Sequence, residues 1–202
     1  MTNSTQGKNI ANLTPLQESI LILASITAQI EWAISSFKKK EQFMDEDLKR
    51  TVCHHIHILI CSYLEEWKRL EHLGSDEEVR KTLYCAEPAI SRLKRWTGLH
   101  RVRSQFLVHP QRDKRGKFMP LSQLYSEFNA PTAYAEIIAL GTYAIQASYV
   151  VLNKRHRKDY ELIKHLLKPE EFPSRGSRTL GEVQAESRRV AEEITQRLHS
   201  IT

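Results

Sequence analysis

Apolar residues recur along most of this chain at intervals of three, four and seven, the spacing of one helical face rather than of a strand. Leu16, Ile20, Leu23, Ile30, Ala33, Ile34 and Phe37 predict a first helix from Thr14-Pro15 to about Lys38. Thr14 suits the cap, Pro15 the first helical position, Glu18 the first turn and Lys38-Lys39-Lys40 the end. Val52, Ile56, Leu59, Ile60, Tyr63, Trp67 and Leu70 predict a second helix from about Asp45 to Gly74. Ser75-Asp76-Glu77-Glu78 then caps a short helix to about Cys85. Glu87-Pro88 reads as the opening of a third long helix, 87–108, with Ile90, Leu93, Trp96, Leu99, Val102 and Phe106 inward. Pro110 forbids its regular continuation and pushes His109 toward extended backbone.

Residues 110–130 read as a charged loop with a turn at Asp113-Lys114-Arg115-Gly116. Pro131-Thr132 starts a fourth long helix to about Lys154, apolar nearly all round and expected to be the most buried. A fifth helix is expected near 158–167, and a linker with Pro169, Pro173 and Gly176 over 168–181. A charged amphipathic helix over 180–200 carries Val183, Val190, Ile194, Leu198 and Ile201. No period-two run bounded by turns occurs. The expected fold class is all-α: an antiparallel bundle of four long helices with a short inserted helix and a C-terminal helical extension. The expected divisions are a disordered tail over 1–12, the bundle over 13–155 and the extension over 156–202.

The 202 residues are enough to bury a core without staples, and seven glycines and seven prolines suit long helices. Cys53, Cys61 and Cys85 form no disulfide framework, which predicts reduced thiols and a cytoplasmic location. No signal-like start is present, and the stretch Ile20–Ile30, broken by Ser25, Thr27 and Gln29, predicts no membrane partner. Cys53, His57 and Cys61 share a helix face, but one helix does not readily close a tetrahedral site, so no metal is expected. No glycine-rich phosphate loop is present, and no cofactor is expected. Trp32, Trp67 and Trp96 are expected in the core. Glu65 and Glu66, adjacent on a helix, point to different faces and make no carboxylate pair.

Charge changes the picture. The chain carries net +6. Between Arg92 and Lys117, nine lysines and arginines face one acid, Asp113, a net of +8. A segment of that charge suits a polyanion such as RNA, through Arg101, Arg112, Lys114, Arg115 and Lys117. Within it runs Arg103-Ser104-Gln105-Phe106-Leu107-Val108-His109. An arginine followed by a polar residue, then a histidine after a few mostly apolar positions, late in the third long helix of a small bundle, resembles the motif of the HEPN superfamily. The likeness covers roughly residues 14–155 and is similar to HEPN proteins of phage defence and toxin–antitoxin systems. Serine stands where asparagine is more usual, and Gln111 where some members carry tyrosine.

What the resemblance implies is a HEPN-like bundle acting as a metal-independent endoribonuclease, working as a homodimer in the cytoplasm. An antitoxin or another protein is a further partner that it allows. Arg103, Ser104 and His109 are the implied catalytic residues. His109 would move protons, Arg103 would hold phosphate, and Ser104 would orient the phosphate or the histidine. The alternative is a non-catalytic helical module that binds RNA, nucleotide or protein through the same surface.

Overall fold

The computed structural model describes residues 13–104 and 128–167, together with Gly181 and Ala185. The Thr14 hydroxyl accepts from the amide of Gln17, and the Gln17 side chain accepts in return from the Thr14 amide. This reciprocal cap starts α1, Pro15–Lys40, with Pro15 at its first position. A 3-10 turn, Glu41–Phe43, leads to Asp45, whose carboxylate caps α2, Glu46–His72, by accepting from Leu48 N. Asp76 does the same for α3, Glu77–Lys94. Then come the four-residue α4, Leu99–Val102, and α5, Tyr134–Tyr149. A π-helical stretch, Val150–Arg155, extends α5 into α6, Arg157–Ile163, and a 3-10 turn over Lys164–Leu167. Every element among the described residues is helical, so the all-α expectation holds.

Two boundaries differ from expectation. The short helix over 76–85 and the third long helix from Glu87 are one element: α3 runs straight through Pro88. Six residues of α3 follow the proline up to Lys94, enough to hold the segment helical despite the missing amide. That same helix ends at Lys94 instead of reaching 108. Asn129 takes the Arg95 carbonyl through its Nδ2 at 2.7 Å, and its own carbonyl takes the Gly98 amide at 2.8 Å. The chain therefore turns at Trp96–Gly98 and restarts as α4, so the short helix follows the third long one. Only glycine fits position 98, because a Cβ there would stand 2.8 Å from the Phe128 Cβ and 2.9 Å from the Asn129 backbone.

The long helices are α1, α2, α3 and α5. Ser19 near the start of α1 donates to Glu66 near the end of α2 at 2.6 Å, so these two run in opposite directions. The Tyr134 hydroxyl meets Glu46 at the start of both α5 and α2, and Ser148 donates to Tyr63 further along, so those two run together. α5 packs on α1, α2 and α3 at once. Gly141 makes this approach possible, with Ile34, Ile30 and Ile56 all within 3.3 Å of where a Cβ would be. The predicted stripes of α1 and α2 line the core from Ile20 to Phe37 and from Ile56 to Leu70. In α5, Ile138, Tyr143 and Ile145 are only half-buried and Tyr149 is exposed, so not all of its apolar sides face the core, although it has the fewest exposed residues of the four long helices.

Trp67 is core, but Trp32 is 70% exposed. Ile30, Ala33 and Ile34 turn inward, and residue 32 lies about 200° around the helix from Ile30. Pro15–Phe43 and Tyr134–Arg155 are long and apolar enough to cross a membrane by length and composition; 44% of the apolar window of each is buried inside the bundle. Compact packing divides the chain at Leu167, with Lys168–Thr202 as a separate unit.

Candidate functional site

The expected arginine lies just past α4, on helical backbone at φ −55° and ψ −53°. α4 is seated on α2 by two contacts. His57, fully buried, donates from Nε2 to the Leu99 carbonyl at 2.9 Å. Eight residues further along the same face of α2, Glu65 accepts from the Arg103 guanidinium at 2.6 Å. His100 Nδ1 lies 3.7 Å from the same carboxylate oxygen. His57 and Glu65, two turns apart on α2, thus hold α4 and its end from beneath. The Arg103 side chain is 27% exposed and Glu65 54%, so the pair stands at the edge of the surface.

Ser104 donates to the Arg101 carbonyl at 3.2 Å, which closes the end of the short helix. In this arrangement its hydroxyl serves the backbone. The Arg101 guanidinium lies over the Phe128 ring, 5.3 Å from its centroid. Phe128, Asn129 and Gly98 therefore bring the two ends of the intervening segment, residues 105–127, to the same corner of the bundle. His109, Arg112, Lys114, Arg115 and Lys117 lie outside the described residues, as does the turn over 113–116. Of the expected site residues, Arg101, Arg103 and Ser104 are described, at the end of α4, with Arg101 on Phe128 and Arg103 on Glu65.

Burial holds His57 below the usual histidine range; its bond to Leu99 opposes this, and His54, His100 and Arg103 reinforce it. Its Nδ1 is buried with no hydrogen-bond partner among the described residues. With Nε2–H donating, Nδ1 keeps the lone pair, and a proton placed there would have no acceptor. Burial pushes the Cys61 thiol up to about 12, against the pull of Arg103. It pushes Cys53 up to about 11. Both sulfurs are thus protonated at neutral pH and poor metal ligands. Among the described residues, no group of three His, Cys, Asp or Glu stands close enough to hold a metal ion.

Sequence reasoning separated Glu65 from Glu66 correctly and missed what each does. Glu66 is buried, takes the Ser19 hydroxyl and pairs with Arg69 at 3.3 Å. Glu65 is the partner of Arg103. The shared face of Cys53, His57 and Cys61 was visible as a spacing, but the short helix that His57 holds lies more than thirty residues away. No protein-family model, no curated protein and no solved structure matches the chain.

Proposed function

We propose that this protein is a HEPN-type, metal-independent endoribonuclease that acts as a homodimer, in phage defence or as a toxin. The observation that carries the reading is the seating of Arg103. A carboxylate from another helix holds its guanidinium, and the partly exposed side chain sits within the +8 segment that also carries His109. A planar donor fork held in this way suits a phosphate whose charge grows during reaction.

In this mechanism His109, neutral, removes the proton from an RNA 2′-hydroxyl. The freed oxygen attacks the adjacent phosphorus, and the bond to the 5′-oxygen breaks. A protonated second His109, supplied by the other subunit, gives its proton to that leaving oxygen. The products are a 2′,3′-cyclic phosphate and a 5′-hydroxyl. Arg103 stabilises the pentavalent transition state, and Arg101, Arg112, Lys114, Arg115 and Lys117 hold flanking phosphates. Ser104 supports the helix end that carries Arg103.

The Glu65 ion pair also gives weight to a second reading. A guanidinium already half neutralised suits reversible RNA binding without cleavage. One experiment separates the two: purified protein is incubated with RNA in chelator. Cleavage that is lost in His109→Ala and Arg103→Ala, with binding retained in His109→Ala, is the expected result. Cleavage that persists in His109→Ala removes this histidine from the mechanism, and binding without any cleavage establishes the second reading.

A further inference from the structure

A cleft of about 650 Å³ opens between the C-terminal part of α2 and the outer face of α3. Tyr84, Glu87, Ser91 and Arg95 recur at intervals of three or four, so they line one face of α3. Trp67 and Ile90, both buried, belong to its floor. Lys94 pairs with Glu71 at 2.5 Å and ties the two walls together. The volume is that of a small-ligand site, with an apolar floor and a few polar groups at the rim.

Three features of the rim select a ligand. The Tyr84 ring is 83% exposed beside the cleft, a face on which a flat ring stacks. Arg95 makes no ion pair among the described residues, and its positive charge suits an anion. Glu87 has no hydrogen bond or ion pair among the described residues, and an ionised carboxylate only accepts. It therefore suits an edge with two adjacent donors. Guanine offers one, with N1–H beside its exocyclic amine. Adenine and cytosine place an acceptor beside the amine, and uracil sets its single N–H between two acceptors. Glu87 and Arg95 are eight residues apart, about 12 Å along the helix axis, a span that two long side chains and one nucleotide can bridge.

The geometry points to a guanine-nucleotide site here: the base stacked on Tyr84 above the Trp67–Ile90 floor, its donor edge on Glu87, its phosphate on Arg95. The nucleotide is either free or a guanosine within single-stranded RNA. Nothing in this site depends on the chemistry at Arg103, so a protein that binds guanine nucleotides and cuts no RNA keeps this site and loses the nuclease.

Calorimetric titration of the full chain with GMP, AMP and UMP tests it. GMP is expected to bind saturably and at least about tenfold more tightly than AMP or UMP. Tyr84→Ala is expected to weaken GMP about tenfold. Glu87→Gln is expected to abolish the preference for guanine, and Arg95→Gln to bring GMP down to the affinity of guanosine. All three side chains are exposed, so unchanged circular dichroism is expected in each variant. Adding r(UUGUU) and r(UUAUU) separates the sources: tighter binding of the first than of GMP assigns the site to RNA, and equal or weaker binding assigns it to the free nucleotide. Equal affinity for GMP and AMP, GMP binding that ignores Tyr84→Ala and Glu87→Gln, or no saturable binding overturns the assignment.

Discussion

Arg103 reaches solvent with its guanidinium held by one carboxylate oxygen, and that oxygen comes from α2. Exposed ion pairs of this kind contribute about 0–1 kcal/mol to stability, so the pair is better understood as a positioning device than as a fold determinant. Glu65→Gln keeps the shape and removes the charge. On the ribonuclease reading, it is expected to leave the melting temperature nearly unchanged, to lower KM for RNA by removing a repulsive charge, and to lower kcat about tenfold. Steady-state kinetics on a short RNA check this; unchanged kcat would leave Glu65 without a positioning role. His57 makes a different prediction. Its folded-state pKa is depressed, so the stability it supplies is present above the unfolded value of about 6.5 and is lost as pH falls below it. Burial likewise lowers His54 and His156. Urea midpoints are expected to fall between pH 7 and pH 5, and to fall less in His57→Leu, which has no ring to protonate. Neither residue's role was legible in the sequence, because the spacing shows which residues share a face of α2 and not which helix covers it. Trp32 fails for a related reason: the apolar stripe beside it was visible, but its own angle around the helix decides its exposure.

At the scale of elements, caps were the legible part. Thr14, Asp45 and Asp76 each accept from amides within three residues, so the signal and its effect lie close together in the chain. The end of α3 is the opposite case. It is set by Asn129 and Phe128, more than thirty residues from Arg95, and no local pattern carries that information. Pro88 misled for a physical reason: a proline suits a first turn better than an interior, but a helix tolerates one when enough turns continue past it. Pro88→Ala restores an amide to α3 and is expected to raise stability by about 1 kcal/mol or more in urea denaturation. Gly141 shows two effects in competition. Alanine there gains about 1 kcal/mol of helix propensity but sets a Cβ 2.8 Å from Ile34 Cδ1, a tip that can move, and 3.1 and 3.3 Å from Ile30 Cγ2 and Ile56 Cγ2, which must give slightly. Gly141→Ala is therefore expected near neutral. Gly141→Val adds two further carbons against Ile30 and Ile56 and is expected to destabilise by about 1–3 kcal/mol.

At the scale of the molecule, composition and periodicity announced the all-helical class of the described residues, and the inward stripes of α1 and α2 fell where the spacing put them. Partners are harder to read. A +8 segment inside a chain of net +6 concentrates the positive charge around and beyond Arg103, and the polyanion reading follows from that concentration. If the segment neutralises three or more phosphates, RNA affinity is expected to drop by about tenfold or more between 50 and 200 mM salt. Filter binding across that range checks it, and a flat profile would argue against phosphate contacts.

The turn at Trp96–Gly98 has a practical consequence. Leu99 and Val102 anchor α4 in the core, but the Arg103 side chain itself is held by one surface ion pair, while the bundle is held by the long helices α1, α2, α3 and α5. Cohesion and aim are therefore set by different sets of contacts. A thermal-shift screen of random variants would pass many in which the arginine has swung away, and a folded sample would be no guarantee of a competent one.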